Sequence, residues 1–134
     1  MRILNLSKTD DWKGLLQLLE TSFNLLDGRS LASAWQMLKR VNKSDILKVK
    51  SDPIFRNFVY QTAAKINDNA KTDFFHPIAL SMIASTAAVI GHMSGIEEIF
   101  SALNKQGGWI VTHGKPQEMA IIATAFGKLK IKNH

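Results

Sequence analysis

Apolar residues recur along almost the whole chain at the spacing of an α-helix. In the first such stretch they lie on one face of a helix with 3.6 residues per turn: Trp12, Leu15, Leu16, Leu19, Phe23 and Leu26. Thr9 has a side chain suited to an N-cap, and Asp10 and Asp11 suit the positive end of the helix dipole. Only the short stretch "GGWIVTHG" at 107–114 is strand-like. The pattern predicts an all-α fold.

Three prolines mark further helix starts. Pro53, Pro77 and Pro116 each precede an apolar helical pattern, and proline at the first helical position loses no hydrogen bond and fixes φ near the helical value. Another helix starts near residue 28, with Asp27 or Ser30 as its cap. We therefore expect helices near 9–26, 28–42, 53–67, 77–92, 95–106 and 116–131.

Three of these helices share one pattern of side chains. The segments "LASAWQMLKRVN", "LSMIASTAAVIG" and "MAIIATAFGKLK", which begin at residues 31, 80 and 119, align without gaps. Their matched positions follow the i, i+3, i+4, i+7 spacing of one helical face, and small residues fill most places between. The matched residues are Leu31/Leu80/Met119, Ala34/Ile83/Ile122, Trp35/Ala84/Ala123, Leu38/Ala87/Phe126 and Val41/Ile90/Leu129.

A second apolar helix follows each of the first two segments. The inward positions are Ile54, Phe58, Val59 and Ile66 in one, and Ile96, Ile99, Phe100 and Leu103 in the other. A recurring helix pair is the signature of a helical-repeat protein. We therefore expect a single domain over 1–134, a right-handed α-solenoid-like stack of about three antiparallel helical hairpins; an irregular helical bundle is the alternative. The units of the stack are an N-terminal helix at 9–26, hairpins at 28–67 and 77–106, and a half unit at 116–131.

The three aligned segments resemble a known class of repeat. They are similar to the first helix of the hairpin repeats in FAST-kinase-like and RAP-domain proteins, and to octotricopeptide and heptatricopeptide repeats. The resemblance covers about residues 28–131 and includes no C-terminal RAP domain. It implies an α-solenoid that contacts RNA in mitochondria or another organelle, in transcript metabolism or as part of an organellar ribosome. A cytoplasmic location is the alternative.

Positive charge is unevenly distributed along the chain. Lys and Arg number 17 against 11 Asp and Glu, for a net charge of +6. The densest cluster, "KRVNKSDILKVK" at 39–50, is either a solvated face or a surface that binds phosphates. We predict that RNA phosphates are contacted by Lys39, Arg40, Lys43, Lys48, Lys50, Arg56, Lys128, Lys130 and Lys132.

The last predicted helix carries more apolar side chains than one stripe needs. We expect its main stripe to pack on helices 77–92 and 95–106, and we predict that Ile121 and Phe126 form an interface with another protein or RNA. The alternative function is therefore a protein–protein interaction solenoid, a structural subunit of a larger complex.

Residues that would support catalysis or metal binding are sparse. The sequence has no Gly-rich phosphate loop, no G-x-S-x-G and no H-E-x-x-H motif, and it has no Cys to supply a thiolate or a zinc ligand. The four His residues lack the i, i+4 spacing of a helical metal pair. We therefore expect no enzyme activity, no cofactor and no metal. A small enzyme is the third hypothesis, after an RNA-binding protein and a protein-interaction subunit.

Two expectations concern single features. Trp109, after two glycines, is either buried or free to stack on a base. No apolar window is long enough for a membrane span, and the N-terminal stretch has the form of neither a secretory signal nor a clear transit peptide.

Overall fold

The described part of the chain is mostly helical. The computed structural model describes residues 12–40, 45–69, 74–91 and 93–129. These residues form eight α-helices and no β-strand, which confirms the all-α prediction. The helices are α1 (Trp12–Ser22), α2 (Gly28–Leu38), α3 (Ile46–Ser51), α4 (Pro53–Asp68), α5 (Pro77–Ile90), α6 (Ser94–Lys105), α7 (Gly107–His113) and α8 (Pro116–Leu129), with a 3-10 turn, Phe23–Leu25, after α1.

Aspartates cap two of the helices. The Asp27 carboxylate accepts the Ser30 N–H at 2.8 Å at the start of α2, and this bond satisfies a donor that has no partner within the helix. At the start of α4 the Asp52 carboxylate accepts the Ile54 N–H at 2.8 Å. Of the two caps predicted for α2, Asp27 is therefore the one used.

Specific residues determine where helix α5 begins and ends. Its first residue is Pro77, as predicted, and the preceding His76 accepts the Ile78 N–H on Nδ1 at 3.2 Å. The helix stops at Gly91, whose φ of 91° is a conformation that side-chain-bearing residues rarely adopt. Ten of its fourteen residues are buried, so α5 is the central helix of the fold.

Helices α2, α5 and α8 lie side by side. α2 packs on α5, and α5 packs on α8. Contacts join their N-terminal ends, because Gly28 packs against the Phe74 carbonyl just before α5, and Gly114, just before α8, lies against Pro77. The three helices are therefore parallel. They contain the three segments whose side-chain patterns align.

Helices α1, α4 and α6 form a second parallel set. α4 packs on both α1 and α6. The rings of Phe23 and Phe58 meet edge to face at 5.9 Å. Gln106, which follows α6, donates from Nε2 to the carbonyl oxygen of Ile66 in the last turn of α4 at 2.8 Å. Like ends are therefore adjacent in this set as well.

Trp35 of α2 joins the two sets. It is fully buried, with ring centroids 5.3 Å from Phe58 and 6.3 Å from Phe55. Since Trp35 lies near the C-terminal end of α2 and Phe55 near the N-terminal end of α4, the two sets run in opposite directions. The apolar core lies between them.

Most of the predicted core positions are buried. In the aligned segments the exceptions are Met119, which is half-buried, and Ala123, which is exposed, while Val41 and the Leu129 side chain lie outside the described residues. In α4 only the first predicted position differs: Phe58, Val59 and Ile66 are buried as predicted, but Phe55 is fully buried where Ile54 is only half-buried.

Two helices were not predicted. α3 lies inside the basic stretch, and α7 spans the fragment that was interpreted as strand-like, so that interpretation is wrong. In α7 the rings of Trp109 and His113, one turn apart, stack at 4.5 Å. The first helix also ends early, at Ser22 instead of residue 26, because the chain tightens into a 3-10 turn.

Candidate nucleic-acid interface

The antiparallel arrangement of the two sets brings distant sequence segments to one edge of the molecule. Helices α2, α5 and α8 end there, whereas α1 and α4 begin there. Lys13 at the start of α1 shares a cleft with Lys48 of α3 and Pro53 of α4. The Lys50 ammonium lies beside Gly91, at the end of α5, and Lys128 of α8 lines a groove with Ala88 of α5.

We call this surface the basic edge. Its cationic residues are exposed, apart from the half-buried Lys50, and the Lys48 side chain is 71 % exposed. They come from four helices and the turn after α2: Lys13, Lys39, Arg40, Lys48, Lys50, Arg56 and Lys128. The acidic residues at or near the same edge are Asp45, Asp52, Glu97 and Glu98.

The opposite edge of the described residues has no excess of either sign. Its basic residues are Arg29, Lys65, Lys105 and Lys115, and its acidic residues are Glu20, Asp27, Asp68 and Glu118. The basic edge thus has seven cations and four carboxylates, and the opposite edge has four of each. The net positive charge of the described residues is therefore concentrated at one end of the helices.

Six of the nine predicted RNA-contacting residues meet at the basic edge: Lys39, Arg40, Lys48, Lys50, Arg56 and Lys128. The other three, Lys43, Lys130 and Lys132, lie outside the described residues. Lys13 was missed. It stands alone in the sequence, and only the parallel packing of α1 on α4 brings it to this edge.

Some of these cations also have a local role. Lys39 is the C-cap of α2 and Lys128 lies in the last turn of α8, where positive charge offsets the negative end of a helix dipole. Lys48 approaches Asp45 at 3.9 Å, an exposed pair of small energetic weight. Neither role removes the ammonium groups from solvent, so they remain available to an anionic ligand.

The two predicted interface residues of α8, Ile121 and Phe126, differ in their exposure to solvent. Phe126 is only 6 % exposed, and its ring meets Phe100 edge to face at 4.8 Å. It is a core residue, and its prediction as an interface residue is wrong. Ile121 is 38 % exposed and borders a groove of about 250 Å³ between α5 and α8. Trp109, the other aromatic candidate, is half-buried and stacked on His113 of its own helix.

Another cavity lies away from the basic edge. It measures about 820 Å³, opens between the first turns of α2 and α5, and is lined mainly by Arg29, Phe74, His76, Ile78 and Met82. The hydrogen bond from the Ser30 N–H lowers the pKa of Asp27 at its rim. The described residues contain no group of three or more metal-ligating side chains.

Comparison with known proteins assigns no family. No protein-family model, no curated protein and no solved structure matches the chain. Within the described residues, no helix combines the length and apolar character needed to cross a membrane.

Proposed function

We propose that the protein is a non-catalytic RNA-binding protein that holds the phosphates of a single strand along the basic edge. The observation that supports this best is the convergence of six predicted cations, together with Lys13, on one edge while the opposite edge is neutral. Lys and Arg that neutralise phosphates release condensed counterions, which supplies affinity without reading sequence.

The arrangement of the helices supports a more specific architecture. We interpret the two antiparallel sets as a right-handed solenoid-like stack of hairpins in which α2, α5 and α8 are successive first helices. The resemblance to organellar RNA-binding repeats supports a role in mitochondrial or other organellar RNA metabolism, or in an organellar ribosome. Sedimentation of the tagged protein from purified organelles tests this context: ribonuclease-sensitive migration with large particles supports it, and migration as a free monomer contradicts it.

The RNA-binding proposal has a direct test in the salt dependence of affinity. Binding of fluorescein-labelled oligouridine is measured at increasing salt for the wild type and for Lys39→Glu/Lys128→Glu. Each lost phosphate contact lowers the slope of log K against log salt by about 0.7, so the double variant is expected to lose about 1.4.

A matched variant controls for net charge. Lys105→Glu/Lys115→Glu makes the same charge change at the opposite edge, also on exposed lysines, and is expected to keep most of the wild-type slope. Equal losses in the two variants would assign the effect to net charge alone. Absence of wild-type binding at low salt contradicts the proposed function.

A second candidate, a protein-interaction subunit, is favoured by the outer surface of α5 and α8. Val89 and Ile121 are 47 % and 38 % exposed. Ile121 lines the groove between the two helices together with Ala88, Ala120 and Ala125, and such small residues would let another helix approach closely. Native mass measurement of the assembly isolated from cells, with Ile121→Asp as the variant, tests it. A partner protein lost in the variant but kept after ribonuclease treatment favours this candidate.

A further inference from the structure

The basic edge contains an open cleft with an aromatic wall. The cleft has a volume of about 580 Å³ and lies where α1, α3 and the start of α4 meet. Its lining consists of Trp12, Lys13, Leu47, Lys48, Ser51, Asp52 and Pro53. It is thus both apolar and cationic, and it differs from the groove beside Lys128 in having an aromatic side chain in its lining.

Trp12 supplies the aromatic surface. It is half-buried against the core in the first turn of α1, so its position is fixed while part of the indole faces the cleft. The Lys13 ammonium lies 5.6 Å from the centroid of the Trp12 ring. An ammonium over an indole ring interacts favourably with it. A base that stacks on this face takes the place of the ammonium, and the long Lys13 side chain keeps the charge beside the base.

Leu47 forms an apolar wall that the fold itself does not need. Val49 anchors α3 in the core and is 1 % exposed, whereas Leu47 is 74 % exposed. Lys48, the next residue, extends into solvent from the same helix. An exposed leucine alone is ordinary; here it lines the same cleft as the tryptophan.

Among the described residues, the carboxylates near the cleft do not cancel its positive charge. Asp52 is engaged as the cap of α4 through the Ile54 N–H. Asp45 is 3.9 Å from the Lys48 ammonium, a weak exposed pair that a phosphate can replace. Two ammonium groups, those of Lys13 and Lys48, therefore remain at the cleft that Trp12 lines.

We propose that this cleft holds one nucleotide of the bound strand, with its base stacked on Trp12 and in contact with Leu47, and its phosphate between Lys13 and Lys48. The inference rests on the proposed function and adds the contact that fixes the strand at one point. Aromatic stacking with flanking cations is how single strands are bound without sequence preference, because every base has a π-face. The stacking residue is therefore Trp12 and not Trp109.

Photo-crosslinking tests the contact in the unmodified protein. An oligouridine of about 12 nucleotides, within the usual site size for single-strand binding, carries 5-bromouridine and is irradiated in the complex. Mass spectrometry of the digested protein is expected to find the adduct on Trp12. Adducts on Trp109 or on the opposite edge, with none at the cleft, overturn the inference.

Variants give the energetic test. Trp12→Ala is expected to weaken oligouridine binding about 5- to 100-fold, the range for loss of one stacked base, with the salt slope unchanged because no charge is lost. Trp12→Phe is expected to retain most of the affinity, and Trp109→Ala all of it. If Trp12→Ala proves unfolded by circular dichroism, Leu47→Ala serves instead, with the exposed Ile78→Ala of the opposite edge as its control.

The two proposals fail in different ways. Salt-dependent binding that Trp12→Ala and Leu47→Ala leave intact overturns the stacking contact and leaves the basic edge as the RNA surface. Absence of salt-dependent binding in the wild type overturns both proposals.

Discussion

Trp35 donates its indole N–H to the hydroxyl oxygen of Thr62 at 3.1 Å, and that hydroxyl in turn donates to the carbonyl oxygen of Phe58 at 2.9 Å. All three residues are buried. The chain of bonds joins α2 to α4 through the centre of the core, where an unpaired polar group would be costly.

Thr62→Val therefore tests the link between the two sets of helices. Valine keeps the shape but leaves the buried Trp35 N–H without an acceptor, so the free energy of unfolding is expected to fall by about 1–3 kcal/mol. Denaturant unfolding followed by circular dichroism measures it. An unchanged midpoint would show that the hydrogen bond contributes nothing to stability.

Thr86→Val is expected to have the opposite sign. Thr86 is fully buried in α5, and its hydroxyl has no hydrogen-bond partner among the described residues. Replacing the hydroxyl by a methyl group removes a desolvated polar group, so stability is expected to rise by about 1 kcal/mol. The same unfolding experiment, run beside Thr62→Val, decides it, and a loss of stability contradicts the prediction.

Gln106→Met tests the side-chain cap on α4. The buried Gln106 amide donates to the carbonyl oxygen of Ile66 in the last turn of α4, where helix carbonyls run out of intrahelical donors. Methionine keeps the bulk and loses the donor, so we expect a loss of about 1–3 kcal/mol. The neighbouring exposed Lys105→Ala is expected to change stability by less than about 0.5 kcal/mol.

The close approach of α4 and α6 depends on Gly95. A Cβ added there would lie 2.6 Å from Cγ1 of Val59. Gly95→Ala is therefore expected to destabilise the fold by about 1–3 kcal/mol. The double variant Gly95→Ala/Val59→Ala is expected to be more stable than the sum of its parts by about 0.5–3 kcal/mol.

Gly127→Ala is the matched control for that substitution. It is also a helical glycine, but nothing lies within 4 Å of an added Cβ, so alanine is expected to stabilise α8 by about 0.5–1 kcal/mol. Thermal unfolding measures the stability of the wild type, of Gly95→Ala, Val59→Ala and their double variant, and of the Gly127→Ala control. Equal effects at the two glycines would contradict the packing argument.

The cap of α2 makes stability depend on pH. Hydrogen bonds from Ser30 hold the pKa of Asp27 below its ordinary value of 3.8. Because the folded pKa is the lower one, the charged cap stabilises the fold above about pH 4, and this stabilisation is lost as the pH falls through the folded pKa. Melting temperatures of the wild type and Asp27→Asn should differ more at about pH 7 than at about pH 3; a difference that does not change with pH would contradict this.

A helix can be predicted from the sequence when many of its side chains are buried at regular spacing. Six helices with repeated apolar positions could be placed because each buries a full stripe. α3 could not, since Val49 is its only buried residue, and α7 could not, because the β-branched run at Ile110 and Val111 favours a strand until tertiary packing overrides it. The interface prediction failed at Phe126 for a related reason: the pattern shows which residues are apolar and not which neighbour covers them.

The part of the candidate site that forms a local cluster in the sequence could be predicted. The basic stretch at 39–50 is visible as a local cluster, and so Lys39, Arg40, Lys48 and Lys50 could be named. Lys13 and the cleft beside Trp12 depend on α1 running parallel to α4, a long-range relationship that carries no local signal. Topology therefore decides the composition of the basic edge.

The balance of charge between the two edges also bears on how the molecule meets a polyanion. The backbone dipoles of the two antiparallel sets oppose each other, so the orientation of the described residues in an electric field is set mainly by their side chains. Under the proposed RNA-binding function, the excess of cations at one edge would turn that edge toward a phosphate backbone before contact, and the rate of association should then fall steeply as ionic strength rises.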